Sequence, residues 1–197
     1  MQSFRVQFGD TVLAFDPISK NSKLKAGSFG ADIALVSLNH PDMNGSDQAS
    51  RGDKRAFIVD GPGEYEVSGV FIKAGASVSN YAGEELINTI YRVSLEGMNI
   101  CFLGALSDTK ISADAQESLD GIDILFVPVN TLGPAQAYKF AVSLEPSIII
   151  PMNFDEKSIK SFLKEGGADN LKSIDKLTIK KKDLEGKQGE IVILGEQ

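Results

Sequence analysis

The chain is short of the residues that most often carry chemistry. Its 197 residues include one histidine, His40, and one cysteine, Cys101. A lone cysteine excludes an intrachain disulfide framework. Set in the apolar run 100–103, Cys101 is expected to be a small buried hydrophobe, which favours the cytoplasm. Positive charge is also scarce, with 20 Lys and Arg against 27 Asp and Glu for a net charge of −7. Such a chain has no field to draw in a phosphate backbone, so nucleic acid is not an expected partner. The dense basic patch at Lys180, Lys181 and Lys182 is followed by Asp183 and Glu185 and reads as a solvated turn. Long hydrophobic runs are missing too. The longest, 122–129 and 147–152, are too short to span a bilayer, and the opening MQSFRVQFGD is polar and lacks a secretory pattern. No Gly-x-Ser-x-Gly elbow and no glycine-rich phosphate loop is present, which argues against a serine hydrolase or a nucleotide site.

What remains is 42% hydrophobic, enough for one globular domain over 1–197. Phe4, Val6 and Phe8 alternate with polar residues, and Gly9-Asp10 turns the chain into a second strand at 11–15. Asp16-Pro17 ends that hairpin. After a polar loop at 18–30, the sequence ADIALVS predicts a buried strand over 31–37 that runs into the loop 38–45. Short strands are expected at 57–59 and 70–74, separated by a sharp turn at Gly61-Pro62-Gly63 that aims Glu64. Alternation over 89–95, a turn at 96–99 and a strand at 100–103 follow. Beyond that point the pattern becomes helix at 112–119, strand at 124–127 and helix at 134–144 with Tyr138, Ala141 and Val142 on one face. A strand at 147–151, a helix at 158–165 and a closing strand pair at 177–179 and 190–194 complete it. Strands followed by alternating helix and strand suit a mixed α/β (α+β) sandwich with helical cover.

The loop Ser37-Leu38-Asn39-His40-Pro41-Asp42-Met43 resembles the Thr-His-x-His-x-Asp-His signature of the metallo-β-lactamase superfamily. The order of Asp16-Pro17, ADIALVS, INTIYRVSLEGMNICFLGAL, GIDILFVPV and EPSIIIPMNF is similar to the L-ascorbate-6-phosphate lactonase-like branch. The resemblance covers residues 4–154 and implies an αββα four-layer sandwich, with its first strand truncated to Met1-Gln2-Ser3-Phe4. It also implies two divalent metals, zinc or manganese, held between the sheets.

Carried over residue by residue, His40 and Asp42 match two ligand positions, while Leu38 and Met43 stand where histidines are expected. A later ligand histidine falls at Ala76 or Ser77, the Leu-Gly-Asp turn has become Leu103-Gly104-Ala105, and Pro-Met-His-Tyr has become Pro151-Met152-Asn153-Phe154. Zinc needs three or four protein donors, which hydrocarbon cannot supply. Leu38, Met43, Phe102 and Ala105 are expected to pack the metal cavity shut, with Asn39 and Asn153 bonding across it. Asp108 is expected to cap the following helix.

The expected function is a non-catalytic binding or assembly module without cofactor, acting on an unidentified small molecule or protein, with homo-oligomerisation open. The alternative is a hydrolase of a lactone or phosphorylated small molecule. There Asp42 would be catalytic, and one zinc or manganese would be held by His40, Asp42, Glu64 and Asp16. For His40 the competing role is structural, bonding Asp42 or backbone. Asp16 equally suits a loop cap, and Glu64 suits solvent.

Overall fold

The structure is a computed structural model and describes residues 2–24, 27, 29–50, 52, 53 and 55–195. Two sheets pack face to face. The first contains β1 (Phe4–Phe8), β2 (Thr11–Phe15), β3 (Ile33–Leu35) and β4 (Phe57–Val59) in that order. β1 and β2 form the antiparallel hairpin, and β2, β3 and β4 run parallel. The second sheet has seven strands: β5 (Gly63–Val67), β6 (Val70–Ser79), β7 (Leu86–Leu95), β8 (Met98–Phe102), β9 (Ile124–Pro128), β10 (Ile148–Met152) and β11 (Glu190–Ile191). Its β5–β8 half is antiparallel and its β8–β11 half is parallel.

The period-two pattern decides what each face buries. Leu13, Phe15, Ile33, Leu35 and Val59 from the first sheet meet Ile72, Tyr91, Val93, Phe102, Phe126 and Ile150 from the second. Aromatic rings fill the middle, with Phe15 to Phe102 at 5.1 Å and Phe4 to Phe126 at 4.7 Å between centroids. Tyr91 crosses this core. Its hydroxyl reaches the Val36 carbonyl at 2.7 Å and the Val59 carbonyl at 3.0 Å, at the ends of β3 and β4.

Four helices, α1 (Ala113–Glu117), α2 (Val129–Leu132), α3 (Pro134–Ser143) and α4 (Glu156–Glu165), belong to the second sheet. Their apolar faces cover Cys101, Leu125, Val127 and Ile149 on its outer side. That cover explains why β9 and β10 are apolar at every position instead of alternating. Over the first sheet the cover is thin. Val12, Ala14 and Ala34 pack against Ala31 and Ala49, the latter on a one-turn 3-10 helix at Ser46–Ala49. Small side chains on that face let a single turn lie close.

Several elements differ from the sequence expectation. The stretch around Glu64 is not a turn but strand β5, antiparallel to β6. β6 and β7 each run ten residues, longer than the alternation suggested. The turn before β8 is only Glu96-Gly97, with Met98 already paired to Leu95. Val142 on α3 is exposed, and the buried face is carried by Ala137 and Ala141. Residues 177–179 form no strand; β11 pairs with β10 instead, and Ile174 makes a single bridge to Leu194. Among the described residues, no helix is long and apolar enough to cross a membrane.

Candidate functional site

The strand ends at one corner of the sandwich bring the sequence-nominated residues near one another. Asp16 follows β2 in a left-handed conformation (φ 45°) and donates its N–H to the Leu35 carbonyl at 2.8 Å. Val36 then bonds the end of β4, and the Ser37 carbonyl accepts from Thr89 of β7 at 2.8 Å. Leu38 bridges Asn88 on the same strand. The first sheet is thus stitched to the second just where the loop 38–45 begins. The loop closes on itself through Met43 and Asn44 N–H groups on the His40 carbonyl, at 2.8 and 2.9 Å. It closes on residues 17–19 through Gly45 N–H to Pro17 at 2.7 Å and Ser19 N–H to Pro41 at 2.9 Å. Any β-carbon at Gly45 would overlap the backbone of Ile18 and Ser19.

Beneath the loop lies an apolar cluster. Leu38, Met43 and Ala105 are fully buried together, flanked by Tyr81 and Leu86. Burying side chains of Leu or Met size contributes roughly 1.5–3 kcal/mol each. Phe102 is not part of it; it belongs to the main core against Phe15. The reason is strand parity, which turns Phe102 inward between the sheets while Ala105, past the end of β8, reaches the corner.

Beside the cluster sits a buried polar knot. Asp16 is fully buried; its Oδ1 accepts from the Ser37 backbone N–H and its Oδ2 from the Ser37 hydroxyl, both at 2.7 Å. Burial pushes its carboxyl up to about 7, against the opposing pull of the Ser37 and Gln2 hydrogen bonds. Gln2 also donates to Met43 Sδ at 3.5 Å. Asn88, equally buried, donates to the Leu103 carbonyl at 3.0 Å and to Ser77 Oγ at 2.8 Å, and accepts from Ala105 N–H at 2.8 Å. Gly104 has φ 60°, and a β-carbon there would come within 2.5 Å of Ser37 Cβ and would also strike Asn88.

The half-exposed rim is made by His40, Asp42, Tyr81 and Ser22. His40 Nδ1 accepts from Asp42 N–H at 3.2 Å and lies 3.6 Å from Asp42 Oδ2. The Tyr81 ring stands edge-on to the imidazole, 5.0 Å away, and its hydroxyl donates to Asp42 Oδ2 at 2.8 Å. Ser22 donates to Asp42 Oδ1. Burial and the Asp42 carboxylate raise the Tyr81 phenol to about 12.

These placements test whether a divalent metal fits. The acids are already occupied: Asp42 holds two hydroxyl donors, and Asp16 is sealed under the loop on Ser37. Glu64 stands on β5, 78% exposed, with Lys73 Nζ 3.6 Å away. Ala76 is exposed and Ser77 bonds Asn88. Asn39 accepts from Asn44 rather than from Asn153, whose buried Nδ2 has no partner among the described residues. Asp108 accepts from Lys110 N–H, and it is Ser112 that caps α1. Among the described residues, no three His, Cys, Asp or Glu side chains converge as a metal would require. The donor set does not fit the two-metal centre that the resemblance implies. Cys101 is fully buried and its thiol is pushed up by burial, so it offers no thiolate.

The sequence did not nominate Tyr81, Ser37, Ser22 or Asn88 as site residues. Only Asn88 carried a signal, a polar residue two positions before Ile90 on the helix-facing side of a strand.

Residues 1–153 match the sequence family described as Beta-lactamase superfamily domain. No curated protein matches at a significant level. Among solved structures, a candidate Zn-dependent hydrolase of the metallo-beta-lactamase superfamily from Thermotoga maritima superposes with a TM-score of 0.72. It is 24% identical, over 98% of this chain and 94% of that one. A candidate metal-dependent hydrolase from Parabacteroides distasonis gives 0.66 at 18% identity, covering 100% and 90%. A metallo hydrolase from the archaeon Ignicoccus hospitalis gives 0.61 at 15%, covering 98% and 91%. At these identities the likeness concerns the fold.

Proposed function

This chain belongs to the beta-lactamase superfamily, and from that premise we propose that it is a member without the hydrolytic metal centre, serving as a non-catalytic binding or assembly module. The proposal includes a likeness to the L-ascorbate-6-phosphate lactonase-like branch, supported by the order of its motifs. One observation carries it. Leu38, Met43 and Ala105 stand at positions where the family motif has metal ligands, and they are packed together away from solvent. Filling a cavity of unpaired polar groups with hydrocarbon removes a desolvation cost of roughly 1–3 kcal/mol per group. Without a metal there is no acidified water, and the family mechanism has no nucleophile. The expected ligand is a small molecule or a protein, not nucleic acid, given the net charge of −7.

A second reading is favoured by the pairing of His40 and Asp42 at the rim, where a single zinc or manganese would have to displace the Ser22 and Tyr81 hydroxyls from Asp42. Elemental analysis separates the two readings. Protein equilibrated with zinc and manganese and then desalted should retain less than about a tenth of an equivalent. A full equivalent that disappears in His40→Ala and Asp42→Ala would sink the first reading and support an atypical hydrolase.

A further inference from the structure

Strand β4 closes one edge of the four-stranded sheet, and the middle one of its three residues faces outward. Phe57 gives its N–H to the Asp32 carbonyl at 2.8 Å, and the Val59 carbonyl accepts from Val36 at 2.9 Å. Residues 57 and 59 therefore face β3, and Ile58 between them turns its N–H and C=O away from the sheet. The side chains of Phe57 and Ile58 project from opposite faces, each 47% exposed. Natural sheets guard such an edge by keeping it very short, or with lysine, proline, a bulge or an inward charge. β4 is three residues long, and its sequence, Phe-Ile-Val, brings no lysine, proline or inward charge. A cation, Arg55, precedes the strand and an anion, Asp60, follows it, and both are exposed.

We propose that β4 is a self-association edge. Two copies of the chain pair their β4 strands antiparallel about a two-fold axis at Ile58, joining two four-stranded sheets into one. Each Ile58 N–H donates to the Ile58 carbonyl of the second copy, which satisfies both outward groups at once. Phe57 then lies across from Val59 of the second copy, and the two Ile58 side chains form a cross-strand pair on the other face. The charge order selects this occupant. Antiparallel pairing brings Arg55 of each copy to the Asp60 end of the other, twice by symmetry, whereas parallel pairing sets like charge beside like. The inference goes beyond the missing metal centre and does not depend on it, because no residue of the corner site takes part.

Sedimentation velocity over a dilution series tests it, with the chain itself and with the single variants Ile58→Lys and Ile87→Lys. Ile87 is the most exposed of the large apolar residues, at 74%, and lies on β7 away from this edge. The native chain should shift with concentration from 21.1 kDa to twice that mass. Ile58→Lys should remain at the single-chain mass at every concentration, and Ile87→Lys should behave like the native chain. Hydrogen exchange on the native chain needs no variant, and the Ile58 amide should slow at least about tenfold as concentration rises. The proposal is overturned by a native chain of single-chain mass throughout, by a dimer that survives Ile58→Lys, or by one that Ile87→Lys abolishes.

Discussion

Replacing Asp16 by Asn removes a carboxyl that the fold has sealed from water and leaves nearly everything else in place. Asparagine tolerates the left-handed backbone that Asp16 adopts at φ 45°. Its Oδ1 can still accept from Ser37 N–H, and its amide can donate to Ser37 Oγ. The serine hydroxyl would then turn to Met43 Sδ, 4.0 Å away. The folded carboxyl titrates near 7 against an ordinary value of 3.8. A raised value means that the folded state holds its proton more tightly than the unfolded chain does. Its contribution to stability is therefore intact below pH 3.8 and is lost progressively as pH rises toward 7. About three units, each close to a tenfold change, is roughly 4 kcal/mol above neutrality, of which more than half accrues between about pH 5 and pH 8. Urea unfolding of both proteins across that range measures it. The native chain should lose stability relative to Asp16→Asn as pH rises, until the variant overtakes it or nearly so. Parallel curves would show that Asp16 does not titrate in the folded range, and the argument from burial would fail.

Two further outcomes follow from the same corner. Met43→Ala should cost roughly 2–5 kcal/mol in urea unfolding, because it leaves a cavity in the buried apolar cluster shared with Leu38 and Ala105; a cost below about 1 kcal/mol would mean the loop collapses freely onto Tyr81. Gly104→Ala should destabilise by at least about 1–3 kcal/mol, since the added methyl meets Ser37 and Asn88 and the backbone is left-handed; unchanged thermal unfolding would contradict the close approach.

Much of the architecture was readable because two patterns are strong. The unbroken apolar runs of β9 and β10, bounded by turn residues, fit strands covered on both faces, and the alternation of β1 fits a half-buried strand, whereas its hairpin partner β2 is buried on both faces. The capped start of α4 at Asp155 agrees with its apolar spacing, although its first turn is too polar to announce itself. Strand β5 was hidden because Gly61-Pro62-Gly63 signals a turn, and only pairing with β6 makes a strand of the polar alternation after it. At the corner, the apolar character of Leu38 and Met43 was legible, since residue identity alone decides whether a side chain can donate to a metal. The burial of Asp16 was not. Whether a carboxylate after a strand faces water or a neighbouring serine depends on how two sheets meet, and no local window holds that information. The same holds for Tyr81, which reaches Asp42 from 39 residues away.

Tyr91 has a use as a built-in gauge. The chain contains no tryptophan and four tyrosines, so the long-wavelength part of its near-ultraviolet signal, beyond the phenylalanine bands, belongs to a small set of phenols. Among these, Tyr91 is fully buried and joins one sheet to the strand ends of the other. A state that kept its strands but let the sheets drift apart would lose the asymmetric surroundings of this ring first. Near-ultraviolet circular dichroism would then fade while the far-ultraviolet spectrum stayed. The separation of the two layers can be followed optically, without attaching any label.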